Sequence, residues 1–272
     1  MEPALMADKI TTKTIRSFKG SDHKITALTA YDTTFARLLD GSGIDLILVG
    51  DSAGMVVAGY EDTIPVTMDE MIYHVRSVRR GTSHALVVAD MPFGSYQVSA
   101  EDGLSNAIRL MKEAGAQAVK VEGGHRVAEL VTRLTENGIP VMGHLGLTPQ
   151  SIHEFGSYQT QATSEESIRK LLEDAQALEQ AGVFSLVLEK IPVKAASQVT
   201  ETLSIPTIGI GAGAGCDGQV LVLYDMLGMY EQIRPKFVRR YAELASEISD
   251  AVSRYIQDVQ NGSFPDETES YE

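Results

Sequence analysis

Short apolar runs recur along the chain at intervals that suit strands alternating with helices. They are "KITALTAYD" (24–32), "DLILVGDS" (45–52), "ALVVADMP" (85–92), "AVKVEGG" (118–124), "PVMGHLGL" (140–147), "FSLVLEKIP" (184–192), "IPTIGIGAG" (205–213) and "QVLVLYD" (219–225). Amphipathic segments separate most of them. Met68, Met71, Ile72, Val75 and Val78 share one helical face, behind Thr67 and Glu70 at capping-box spacing. Ile168, Leu171, Leu172, Ala175 and Leu178 share another, closed by Gly182, while "MKEAG" and "TENG" end in the same way.

Eight strands separated by helices imply a parallel sheet, and a closed single (β/α)8 TIM barrel fits the count best; an open doubly wound sheet is the alternative. No linker or shift in composition divides the interior, so residues 1–258 are expected to form one barrel domain with an N-terminal segment and a C-terminal helix. "KFVRRYAELASEISDAVSRYIQDV" (236–259) reads as that helix, and 259–272 as an acidic disordered tail.

Composition narrows the function classes. The 272 residues carry a formal charge of −14, which repels nucleic acid and anionic membrane, so an anionic substrate needs a specific Lys, Arg or metal. Cys216 is the single cysteine, which excludes an intrachain disulfide and a thiolate zinc site. No apolar run approaches the roughly 18 residues of a membrane span, and "MEPALMADKI" has no signal-like pattern; the cytoplasm is the expected compartment.

Several strands end in charge: Asp51 on the second, Asp90 on the third, Lys120 and Glu122 on the fourth, Glu189 on the sixth. Barrel enzymes place their chemistry at these C-terminal ends. Val119 and Val121 should face the helices, which turns Lys120 and Glu122 inward. Singly, each residue has an ordinary reading: Asp51 and Asp90 as turn or cap residues, Lys120 with Glu122 as a structural pair, Glu189 with Lys190 as a solvated one. Jointly, carboxylates converging on one barrel mouth repel one another without a cation, and an all-oxygen set suits a hard ion such as Mg2+. His144, near the end of the fifth strand, reads equally as a core or a functional histidine. "HEF" (153–155) lacks the second His of a zinc helix. "GIGAGAG" (209–215) suits a phosphate cradle or close backbone packing, and Cys216 reads as inert.

The motifs "KITALTAYD", "LVGDSAGMVVAGY", "ADMPFGSY", "AVKVEGG", "IPVMGHLGLTPQS", "LVLEKIP" and "IPTIGIGAGAGCDGQVLVLYDMLG" occur in collinear order from about residue 11 to "KFVRRYAEL". In this combination the chain resembles the ketopantoate hydroxymethyltransferase family. The resemblance implies a barrel of the phosphoenolpyruvate/pyruvate type, Mg2+, and transfer of a hydroxymethyl group from 5,10-methylenetetrahydrofolate to 3-methyl-2-oxobutanoate in pantothenate biosynthesis. It also implies a homo-oligomer, commonly a decamer.

Carried over position by position, the resemblance makes Asp51 and Asp90 ligands of Mg2+ in contact with the keto acid. Ser52 and Lys120 become substrate contacts, Glu122 joins the metal site by supporting the ion, and Glu189 becomes the proton acceptor. The implied chemistry removes a proton from carbon 3 of the keto acid to give an enolate that Mg2+ stabilises as a Lewis acid. Glu189 would then need an apolar setting, which Leu186, Val187, Leu188 and Ile191 are expected to supply. One departure stands out. Where family members often carry Gln-Gly-Arg or Gln-Gly-Lys, this chain has Gln161-Ala162-Thr163. The rivals are a Mg2+-dependent 2-oxo-acid aldolase or lyase on the same barrel, and a non-catalytic scaffold.

Overall fold

The computed structural model describes residues 9–232 and 234–271. Eight strands, β1 (Ile25–Thr29), β2 (Leu46–Val49), β3 (Leu86–Asp90), β4 (Ala118–Glu122), β5 (Val141–Gly146), β6 (Ser185–Glu189), β7 (Thr207–Ile210) and β8 (Gly218–Leu221), pair in parallel and in chain order. β8 returns to β1, with Ile25 opposite Gly218, so the sheet is a closed barrel and the open alternative is excluded.

Alternation along each strand sorts the side chains. Ile47, Val49, Val87, Ala89, Val119, Val121, Leu186 and Leu188 belong to the core shared with helix residues such as Met71, Val75, Val78, Leu110, Leu134 and Leu178. The helix Met68–Gly81 starts at Thr67 with the expected capping box, and Glu165–Ala181 ends on a left-handed Gly182. The intervening positions face the barrel axis, and there the strand ends carry their charges.

The chain divides into two compact units, one ending at Val222 and the next beginning at Leu223. In the second unit, the C-terminal helix spans Leu244–Asn261, not 236–259. Residues 236–243 are not helical because their surroundings give their backbone other partners: Tyr241 N–H donates to Met226 O at 2.8 Å, and just beyond, Leu244 N–H donates to Leu227 O at 3.0 Å. Past Gly262 the acidic segment is not structureless throughout, since Asp266 accepts from Thr268 N–H and starts a short turn over Glu267–Glu269. The helix exposes Ile248, Val252, Tyr255, Ile256 and Val259, spaced as one apolar stripe. Among the described residues, no helix is long and apolar enough to cross a membrane.

Candidate active site

The tip of β2 needs a bare backbone. A Cβ on Gly50 would lie 2.8 Å from Ser52 Oγ and 3.3 Å from Asp90 Oδ2, so glycine lets this turn reach the end of β3. Asp51 N–H then donates to Asp90 Oδ2 at 3.1 Å. No side chain caps the short helix Ala53–Val56, so Asp51 is no helix cap; its carboxylate is buried at the barrel mouth. Ser52 Oγ lies 2.9 Å from the Tyr31 hydroxyl.

Strand register assembles the rest. Asp90 is level with Lys120 across β3 and β4, and Glu122 with His144 across β4 and β5. Lys120 Nζ lies 2.8 Å from Asp90 Oδ1, 3.3 Å from Glu122 Oε1 and 3.1 Å from His144 Nδ1. His144 bridges two carboxylates, with Nδ1 3.2 Å from Glu122 Oε1 and Nε2 3.3 Å from Glu189 Oε2. Asp51, Asp90, Lys120, Glu122 and His144 are each no more than 4% exposed. All six predicted residues therefore come together, and His144 lies among them, buried between Glu122 and Glu189.

Glu189 departs from its expected surroundings. Strand alternation sends Leu186 and Leu188 into the outer core, leaving Val187 on the cavity side, and the carboxylate faces the His144 ring instead of an apolar wall. Lys190 is no solvated partner of Glu189, for its Nζ donates to Tyr158 O and its O accepts from Gln161 N–H at 3.0 Å. Gly146 makes room for this edge, since a Cβ there would stand 2.2 Å from Glu189 O.

The departure at Ala162 has a backbone consequence. Ala162 sits at φ 52°, a left-handed conformation that costs an L-residue about 1–2 kcal/mol. Ala162→Gly is expected to stabilise the protein by about 1 kcal/mol, read as a higher unfolding midpoint; an unchanged or lower midpoint would contradict the strain. Thr163 puts no cation in this loop.

Burial and like charge set the protonation of the cluster. Asp51 is held well above the usual carboxylate range by burial, then by the Asp90 and Glu122 charges. Asp90 is raised by burial, partly offset by Lys120. Glu122 is lowered to about 2, because Lys120, His144 and the Gln150 N–H together outweigh its burial. Burial pulls Lys120 down, but the three carboxylates outweigh it and raise it. His144 rises to about 9: burial and Lys120 lower it, yet Glu122 and Glu189, one at each ring nitrogen, outweigh them. The short Lys120 contact to Nδ1 suits a neutral ring, but a carboxylate at both nitrogens decides for the cation at neutral pH.

Asp51, Ser52, Asp90, Lys120, Glu122 and Glu189 line a cavity of about 150 Å³, walled elsewhere by Leu48, Val187, Ile210 and Val220. Thr63 also lines it, and its buried Oγ1 has no hydrogen-bond partner among the described residues. A larger cleft of about 660 Å³ meets this site at Glu122, and Tyr96, Gln97 and Gln150 line it. Gln150 is the residue that sequence reasoning missed: its Nε2 donates to Asp51 Oδ2 at 2.9 Å and its N–H to Glu122 Oε2 at 3.0 Å. Its only signal was its place in "GLTPQS" just after β5. Elsewhere, "GIGAGAG" is a packing element, its glycines pressed against Cys216, Val193 and Ser197, and burial keeps Cys216 a thiol.

Three buried carboxylates beside one lysine fit a hard divalent cation by charge and by donor type. Among the described residues, no group of three His, Cys, Asp or Glu side chains is arranged to hold a metal ion unaided. Lys120 stands between Asp90 and Glu122, and both Glu122 oxygens are already engaged. Two carboxylates completed by water and substrate oxygens are the usual protein share of a Mg2+ site, so the donor set fits with Asp51 and Asp90 as ligands.

The family model for ketopantoate hydroxymethyltransferase matches residues 9–267. The chain belongs to this family. It is 56% identical over 263 residues to the 3-methyl-2-oxobutanoate hydroxymethyltransferase of Syntrophus aciditrophicus, covering 97% of each chain. It is 58% identical over 266 residues to the enzyme of that name from Prosthecochloris aestuarii, covering 96% of each. Among solved structures, 2,3-dimethylmalate lyase, a PEP mutase/isocitrate lyase superfamily member, superposes with a TM-score of 0.61 at 16% identity, over 97% of this chain and 89% of that one. That likeness carries the barrel fold alone. Family membership separates the ketopantoate hydroxymethyltransferase reading from the lyase and scaffold rivals.

Proposed function

We propose that this ketopantoate hydroxymethyltransferase family member transfers a hydroxymethyl group from 5,10-methylenetetrahydrofolate to 3-methyl-2-oxobutanoate, giving 2-dehydropantoate for pantothenate biosynthesis in the cytoplasm. The observation that carries the reading is the cavity of about 150 Å³, charged on the Asp51–Asp90–Lys120 side and aliphatic on the other. Such a cavity suits a small branched keto acid: its carboxylate and ketone meet the charged side, its isopropyl group the aliphatic one. Lys120 offers the substrate carboxylate a cation in a protein whose net charge opposes anions. Ser52 offers a hydroxyl to the same end of the substrate. Asp51 and Asp90 would hold Mg2+, with Glu122 orienting a water beside it. When bound, Mg2+ supplies a Lewis acid that draws charge from the keto oxygen. Glu189 accepts the carbon 3 proton, steadied by His144; carbon 3 then bonds to the folate's methylene carbon, whose two C–N bonds break, water supplies the hydroxyl oxygen and tetrahydrofolate leaves.

Proton exchange at carbon 3 of 3-methyl-2-oxobutanoate in D2O tests this reading. Exchange should require Mg2+ but no folate, and ketopantoate should form only when 5,10-methylenetetrahydrofolate is added. Absence of exchange, or cleavage of the keto acid, would sink the proposal. The assembly is proposed as a homo-oligomer, a decamer, supported by the exposed stripe on Leu244–Asn261. Light scattering should then give ten times the 29.4 kDa chain mass, and a monomer mass would exclude it.

Lys120 has two duties in this reading, and they separate experimentally. Lys120→Met leaves buried carboxylates without their counter-ion, a change that typically costs about 3–5 kcal/mol of stability. Keto-acid affinity, measured by calorimetry on the same protein, should fall as well. A lowered unfolding midpoint with unchanged affinity would reduce Lys120 to a structural ion pair.

A further inference from the structure

We propose that Gln150 is a positioning residue for the metal-binding carboxylates, held in one amide orientation by the Met91 carbonyl and braced by Tyr96 and Gln97. The inference rests on the reading of Asp51 and Asp90 as Mg2+ ligands. Gln150 sits in the turn Pro149–Ser151 that follows β5, and it is buried. Its amide is fully committed: Nε2 donates to Asp51 Oδ2 and to Met91 O, both at 2.9 Å. Oε1 accepts from the Tyr96 hydroxyl at 2.6 Å and from Gln97 Nε2 at 3.2 Å. Because Met91 O can only accept, a flipped amide would turn its oxygen against that carbonyl and lose the bonds its nitrogen makes to Met91 and Asp51. The nitrogen therefore always points at Asp51.

The main chain of the same residue completes the arrangement. Gln150 N–H donates to Glu122 Oε2, while the Tyr96 hydroxyl accepts from Glu122 N–H at 3.1 Å. One residue from the β5 loop thus ties the end of β2, the residue after Asp90, and the end of β4. Gln150 occupies Oδ2 of Asp51 and so fixes the plane in which Oδ1 is presented. Such outer partners of metal ligands typically change metal affinity by about 10- to 100-fold when removed.

The test uses the purified full-length chain and Mg2+ alone, with binding measured by calorimetry and the unfolding midpoint recorded beside it. Gln150→Met should weaken Mg2+ binding by about 10- to 100-fold. Tyr96→Phe should weaken it in the same direction by less, and the double variant should bind no more weakly than Gln150→Met, because Tyr96 acts through the amide. A purely structural role would lower the midpoint in each variant and leave Mg2+ affinity alone; that result overturns the proposal. Should Gln150→Met fail to fold, Tyr96→Phe decides, and unchanged affinity there overturns it. Asp51→Asn separates this inference from the site assignment. If the unaltered protein binds no Mg2+, or Asp51→Asn binds it normally, the assignment itself falls. If only Gln150→Met and Tyr96→Phe bind normally, this inference alone falls.

Discussion

Asp51→Asn is expected to raise the unfolding midpoint of the metal-free protein while removing Mg2+ binding and turnover. The two effects share one cause. Burial, with Asp90 and Glu122 nearby, penalises the charged form of Asp51, so replacing it with a neutral isostere relieves the folded state. The same replacement takes away one of two carboxylates in the proposed ion site, and turnover should fall by about 10³-fold or more, the scale on which loss of an electrostatic stabiliser is felt. Asp90→Asn should also stop turnover but without the gain in stability, because it sets an amide against the Lys120 ammonium now 2.8 Å from Asp90 Oδ1. Wild-type Mg2+ dependence and rate in either variant would refute the assignment.

The pH dependence has a definite sign. Asp51 has a folded pKa raised above its unfolded value of about 3.9, so the folded state binds its proton more tightly. Its contribution is fully present below that unfolded value and is lost as pH rises through the raised one. Metal-free protein should therefore lose stability above about pH 4 from this group. Asp51→Asn should flatten that limb, as should saturating Mg2+.

Most of the barrel was legible because its signals are local. Each strand's apolar run and each helix's face can be read within about ten residues, and the charges interrupt those runs at the same relative position. Asp51, Asp90, Lys120 and Glu122 were visible for that reason. Gln150 and Tyr96 were not, because an uncharged loop residue acquires its role only when closure brings the β5 loop onto the tip of β2. The setting of Glu189 was misjudged from the chain because sequence neighbours are not spatial ones: Leu186 and Leu188 flank it in sequence and face away from it in the barrel. The start of the C-terminal helix was misplaced for a related reason. The apolar spacing of 236–243 suits a helix, but hydrogen bonds to the 226–228 segment, at Tyr241 and Leu244, take the backbone elsewhere.

Glu189→Gln should slow carbon 3 exchange by about 10²- to 10⁴-fold, the usual contribution of a general base. Mg2+ and keto-acid binding should stay nearly intact. Glu189 lies across the cavity from the Asp51–Asp90 pair on a different strand, with His144 Nε2 3.3 Å from its Oε2. Glutamine is nearly isosteric with glutamate, so the substitution removes basicity with little change in shape. His144, whose pKa stands near 9 between two carboxylates, is a cation at neutral pH and a poor acceptor for the carbon 3 proton. In the proposed reaction its place is to hold Glu189 in position and to balance charge once the proton has moved. Exchange measured without folate reads the proton step alone, apart from one-carbon transfer. Wild-type exchange in Glu189→Gln, with metal and keto acid bound, would move the base elsewhere. His144 would then be the group to test, and it would have to act as the neutral ring that its contact with Lys120 also permits.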